Sequence, residues 1–144
     1  MIVWWLMKRL SVVSLAAVLA LSLAACSDTA EEKAAINAAN QWLALIDAGK
    51  YAASWDEAAS LLKNTASKEQ WTEKLNASRA PLGKVESRKL KTASYKTSLR
   101  SAPDGKYVVI RFNSSFENEK ETIETVTPML DKDGQWRVLG YNIK

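Results

Sequence analysis

Histidine is missing from this sequence altogether. Its absence removes the usual general base near neutral pH, the Ser-His and Cys-His nucleophile pairs, and the commonest ligand of transition metals. Cysteine occurs once, as Cys26, so no internal disulfide can form and no cysteine cluster can hold a metal. Glycine is scarce, at five residues in 144, and none of it forms a glycine-rich phosphate loop. No metal, no cofactor and no catalytic residue are therefore assigned. Any catalysis would have to run on carboxylates, Tyr, Lys or Arg.

What the chain does have begins at its front. Lys8 and Arg9 are the only charges up to Ala25, and they precede an apolar stretch, Leu10 to Ala25, broken only by serines. A positive start, a short apolar run and small residues before a cut site describe a secretory signal over residues 1–25. The run is shorter than the roughly 20 residues a spanning helix needs. Met7-Lys8-Arg9 fits the start of such a signal better than Met1 does, since it puts the charges at the front.

Leu23-Ala24-Ala25-Cys26 resembles the lipobox of bacterial lipoproteins. That resemblance implies that the Cys26 thiol takes a diacylglyceryl group, that cleavage precedes it, and that the new amine is acylated. More than one acyl chain is what stable anchoring requires. Ser27 stands where an aspartate would mark inner-membrane retention, so the expected address is the outer membrane, on its periplasmic face. Residues 26–30 would be a short lipidated tether and 31–144 a single domain. Without Lys8 and Arg9 the net charge of +4 falls to about +2, so basicity gives no case for nucleic-acid binding.

Helical signals come first along the mature chain. Thr29-Ala30-Glu31-Glu32 reads as a capping box, and Ala35, Ile36, Ala39, Trp42, Leu43 and Ile46 form one apolar stripe that ends at Gly49. A second helix is expected over Tyr51–Leu62, with Ser54 and Glu57 as a competing capping box. Ser67 and Gln70 cap a third, which carries Trp71, Leu75 and Ser78 on one face and closes at Pro81 and Gly83. Beyond Gly83 the pattern alternates. Strands are expected over Val85–Leu99, Tyr107–Phe116, Glu121–Leu130 and Gln135–Ile143.

Turns are expected at Ala102–Gly105, of type I, and at Asp131–Gly134, with an edge or bulge at Pro128. The layout is α+β: about three N-terminal helices packed on a curved four-stranded antiparallel sheet, cystatin-like or nuclear-transport-factor-2-like.

The stretches "WLALIDAGKYAASW", "SKEQW", "APLGKVESRKLK", "TSLRSAPDGKYVVIRFNSSFEN" and "ETVTPMLDKDGQWRVLGYNIK" resemble the bacterial family catalogued as domain of unknown function 4019. The resemblance covers nearly the whole mature chain, and its most specific piece is the final Trp-Arg-Val-x-Gly-Tyr. It implies a small exported protein and supplies no mechanism. The element order is also similar to the nuclear-transport-factor-2-like cone, which implies a curved sheet wrapped around helices.

Two sets of side chains are candidates for a role. In a cone-like cavity, polar groups would come from Asp47, Asp56, Tyr51, Tyr95, Tyr141 and Arg111, although aspartates near helix ends also cap or meet the dipole. A basic segment, Arg79 to Arg111, holds nine cations against Glu86 and Asp104. One reading is a solvated sheet face paired with acidic strands, for example Arg111 opposite Glu124. The other is a surface in which Arg88, Lys89 and Lys91 meet anionic headgroups or an acidic partner. Trp42, Trp55, Trp71 and Trp136 are expected in the core rather than on a stacking platform.

The expected function is a lipid-anchored periplasmic binding or interaction module of the cell envelope. Its partners would be the membrane, through the lipid, and an unknown envelope protein or small ligand. The alternative is a cone-fold enzyme or ligand carrier with an open cavity.

Overall fold

The computed structural model describes residues 29–144. The signal, Cys26 and Ser27 lie outside the described residues. The order is α1 (Ala30–Asp47), α2 (Tyr51–Asp56), α3 (Ser60–Thr65), α4 (Lys68–Ser78), a 3-10 turn at Ala80–Leu82, then β1 (Val85–Lys96), β2 (Tyr107–Phe116), β3 (Thr122–Leu130) and β4 (Trp136–Ile143). The strands form one antiparallel sheet in the order β1-β2-β3-β4, with the helices over one face. This is an α+β fold with an open sheet.

The capping signals expected for α1 and for the helix now numbered α4 are satisfied. Thr29 and Glu32 form a complete capping box, as do Ser67 and Gln70. Gly49, at φ 71°, takes the left-handed position after α1. There Lys50 N–H reaches Leu45 O and Gly49 N–H reaches Ile46 O, the paired bonds that tie off a helix end.

The expected second helix is two helices. At the break, Ala58 and Ala59 are fully buried and the Ala59 N–H donates to Val138 O on β4 at 2.9 Å. Small side chains let the backbone press against the sheet, and a strand carbonyl takes the amide that a continuous helix would have used. Ser60 N–H and Oγ both donate to Asp131, at 2.8 and 2.6 Å. Ser54 is no cap. Within α2 its hydroxyl donates to Tyr51 O and accepts from Trp71 Nε1, while its carbonyl accepts from Trp42 Nε1.

The core lies between the α1 stripe and the inner face of the sheet. Ala35, Ala39, Trp42, Leu43 and Ile46 meet Val108, Ile110, Phe112, Val126 and Val138, all nearly inaccessible. Trp42 packs edge-on against Tyr141 at 5.6 Å and tilted against Trp71 at 6.0 Å. Trp42 and Trp71 are buried, whereas Trp55 and Trp136 pack on the margin of the core. Ser78 is exposed and leaves the buried face of α4 to Trp71 and Leu75.

β1 ends at Lys96 rather than Leu99. In the connection to β2, Gly105 N–H reaches back to Thr97 O, so Ala102–Gly105 belongs to a wider loop than the expected turn. The Asp131–Gly134 turn forms as expected, with Gly134 N–H on Asp131 O at 2.9 Å. Pro128 sits at a register shift between β3 and β4. A bulge is what an interior proline without a ladder donor requires.

Candidate functional site

Helix α1 runs antiparallel along β1 and is fastened at both ends. Near its start, Glu32 Oε1 accepts from the Tyr95 N–H at 3.2 Å; at its last residue, Asp47 accepts from Arg88 at 2.7 and 2.9 Å. About fifteen residues of helix and about seven of strand both span roughly 23 Å, so the two fastenings are in step.

The Asp47 end holds the polar centre of the molecule. Strand alternation puts Glu124 on the same face as Thr122 and Val126, and its side chain is fully buried. Arg88, opposite Ser114 on β2, grips it with Nε to Oε2 at 2.6 Å and Nη2 to Oε1 at 3.0 Å. Ser114 Oγ donates to Oε2 and Tyr141 Oη to Oε1, each at 2.5 Å. Four donors fill the roughly four acceptor sites of a carboxylate. Glu124 therefore keeps no free lone pair with which to bind a metal.

Asp47 links two cations, because Arg79 Nη2 also donates to its Oδ1 at 3.2 Å. Arg79 is itself buried. Its Nη1 donates to Gly83 O, its guanidinium lies 4.4 Å from the Phe116 ring centre, and its Nε has no partner among the described residues. Gly83, at φ 76°, takes a positive-φ conformation that favours glycine.

Charge states follow from these contacts. Burial penalises the Asp47 carboxylate, but hydrogen bonds and charge from Arg88 and then Arg79 outweigh it and hold its pKa below the ordinary value. Burial likewise works against the Arg88 cation, and Asp47 and Glu124 more than compensate, raising its pKa. The Tyr141 phenol is pushed up by burial and then by the Glu124 charge, so it stays protonated and donates.

Of the six cavity candidates, Asp47 and Tyr141 enter this cluster, joined through Arg88 and Glu124. The other four stand apart. Asp56 is exposed and pairs with Lys68 at 2.6 Å, Tyr51 is buried in the core, Tyr95 flanks it, and Arg111 is exposed on the outer face. The expected Arg111–Glu124 pairing is replaced. Register places Thr125 opposite Arg111 and Phe112 opposite Glu124, and Arg88 is the cation that reaches Glu124.

Arg88 accordingly leaves the proposed anion-binding set, since both carboxylates occupy its guanidinium. Lys89 and Lys91 remain exposed, and Lys91 is the extra residue of the bulge between Leu90 and Thr92. Glu124, Ser114 and Arg79 were not assigned to the site from the sequence. The readable signal was Glu124 itself, a charge in phase with Val126 on an alternating strand.

On the opposite face of the sheet, a groove between β1, β2 and β3 is lined by Ser87, Lys89, Asn113, Ser115, Lys120 and Ile123, among others. Among the described residues, no group of three or more His, Cys, Asp or Glu side chains is placed to hold a metal ion. Also among them, no helix is long and apolar enough to cross a membrane.

No curated protein and no solved structure matches the chain. A family model does match, over residues 38–141, from the middle of α1 through the Tyr141 that donates to Glu124. The chain belongs to the family described as protein of unknown function (DUF4019).

Proposed function

We propose that this protein is a lipid-anchored module of the bacterial cell envelope, held at the periplasmic face of the outer membrane through Cys26, and that it works by binding rather than by catalysis. Support for the anchor is the lipobox-like Leu23-Ala24-Ala25-Cys26 behind a short apolar signal. The observation that carries the binding reading is the filled inner face of the sheet. Helix α1 covers it, and the Glu124 carboxylate at its polar centre is saturated by internal donors, so the outer face is the broad surface left for a partner.

That outer face is rich in hydroxyls, amides and cations. Lys89 stands in the groove with Ser87, Asn113, Ser115, Lys120 and the acid Glu121, and exposed Arg111 and Lys91 lie nearby. Lys89, Lys91 and Arg111 have no carboxylate within salt-bridge range among the described residues. Such a face suits an anionic ligand or an acidic envelope protein. Immobilised heparin, as a generic polyanion, tests it: the Lys89→Gln/Lys91→Gln/Arg111→Gln chain elutes at clearly lower salt than the parent. Coincident elution would remove this surface from the proposal.

A further inference from the structure

The fastening of α1 to β1 also settles which end of the domain is next to residue 29. Glu32 has two attachments: Oε2 accepts from the Thr29 N–H at 2.9 Å and Oε1 from the Tyr95 N–H at 3.2 Å. Thr29 is therefore pinned beside the end of β1, where the chain enters the Thr97–Lys106 connection. Two residues, Ser27 and Asp28, separate Cys26 from Thr29, and the three steps of chain reach at most about 11 Å. If Cys26 carries the lipid, this end of the sheet faces the bilayer.

The end is cationic where it is unpaired. Lys33 on α1 and Lys96, Arg100 and Lys106 on the β1–β2 connection are exposed, and none has a salt-bridge partner among the described residues. The nearby acids are fewer or occupied. Asp104, Glu31 and, in the sequence before Thr29, Asp28 remain, whereas both Glu32 oxygens are taken.

The β3–β4 turn lies at the same end. There Asp131 is held by Ser60 and Asp133 by Arg137, while Lys132 is exposed. The far end of the sheet is mixed in charge: Glu117, Glu119 and Glu121 stand between β2 and β3 with Lys120, which pairs with Glu86, and Lys84 and Lys144 adjoin the strands there.

The connection is also held in place. Gly105 N–H bonds Thr97 O at 2.9 Å, Leu130 N–H bonds Lys106 O at 2.9 Å, and Tyr107 Oη bonds Pro103 O at 2.5 Å. Its cations thus keep a fixed position relative to Thr29.

We infer that the β1–β2 connection, through Lys96, Arg100 and Lys106 with Lys33 beside them, docks on the anionic headgroups of the leaflet that holds the anchor. This rests on the lipid-anchor reading and deepens it. Docking there orients the domain with the β2–β3 connection away from the membrane and its outer sheet face side-on to the periplasm. Each cation within a Debye length of the surface (about 8 Å at physiological ionic strength) adds to the attraction.

The test separates this surface from the anchor. A chain of residues 29–144, which contains every element and the core found among the described residues, carries a hexahistidine tag before Thr29 and is tethered to vesicles through a nickel-chelating lipid. A fluorophore is attached at Ser98→Cys or, at the far end, at Glu119→Cys, and quenched by bromine-labelled lipid. Near-ultraviolet circular dichroism of the buried tryptophans verifies each fold.

The expected result is stronger quenching at Ser98→Cys than at Glu119→Cys on phosphatidylglycerol vesicles, lost in high salt, on phosphatidylcholine, and in the Lys96→Gln/Arg100→Gln/Lys106→Gln chain. Equal quenching at both positions, or quenching indifferent to lipid charge, overturns the docking surface. The nickel tether makes no use of Cys26, so failure here is distinct from failure of fatty-acid labelling, which reads the anchor alone.

Discussion

Arg88 and Glu124 face each other across β2 and share two parallel contacts, at 2.6 and 3.0 Å, with the carboxylate fully buried and the guanidinium side chain 15% exposed. A planar cation matched to a carboxylate in this way fixes direction as well as charge. The pair sets how β1 lies on the sheet, and through Asp47 it also anchors the end of α1.

Removing Arg88 leaves Glu124 as a buried charge with no cation beside it, whereas removing Glu124 leaves Arg88 still paired with Asp47. Arg88→Ala is therefore expected to cost about 3–5 kcal/mol of unfolding free energy, read from urea denaturation. Arg111→Ala, which the register keeps away from Glu124, should stay within about 0.5 kcal/mol of the parent.

Tyr141→Phe removes a single donor from the same carboxylate. A hydrogen bond to a charged group contributes about 1.5–3 kcal/mol, and a loss in that range is expected. Absorbance titration offers an independent check. The Tyr141 pKa is raised by burial and the Glu124 charge, so Tyr141→Phe should leave the alkaline phenolate transition of the folded chain unchanged.

The lowered Asp47 pKa gives the stability a definite dependence on acid. A carboxylate whose folded pKa lies below its unfolded value of about 3.9 contributes fully above that value. The contribution is lost as pH falls through the folded pKa. Urea midpoints should therefore drop below about pH 4, and Asp47→Asn should be less stable at pH 7 but show a shallower drop in acid. Parallel curves for the two chains would count against the Asp47 linkage.

Ser54→Ala tests the junction of α2 with α4. The Trp42 bond goes to the Ser54 backbone and survives, whereas the Trp71 indole N–H loses its acceptor in a buried site. An unsatisfied buried donor costs about 1–3 kcal/mol. Equilibrium unfolding followed by tryptophan fluorescence measures it.

Legibility in the sequence followed the range of the interaction. Both true capping boxes and the Gly49 stop rest on neighbours within a few residues, and all appear where expected. The split between α2 and α3 depends on a carbonyl of β4 nearly eighty residues away, which no local pattern contains.

Register was the other obstacle. Pairing Phe112 with Glu124 turns Arg111 outward and leaves Glu124 to a cation on β1, one strand further off. Asp47 and Tyr141 were recognisable as polar side chains near the helices and sheet. What joins them is set by strand order and by the bulge in β1, both of them properties of the assembled sheet.

Metabolic labelling with an alkyne fatty acid is the most direct measurement of the central claim, that this domain is held at the membrane by lipid on Cys26. The account predicts that the expressed chain incorporates the label in the membrane fraction, and that Cys26→Ala yields an unlabelled chain, either as uncleaved precursor or released in soluble form. Equal labelling of the two chains, or a parent chain that is exported without label, would contradict it.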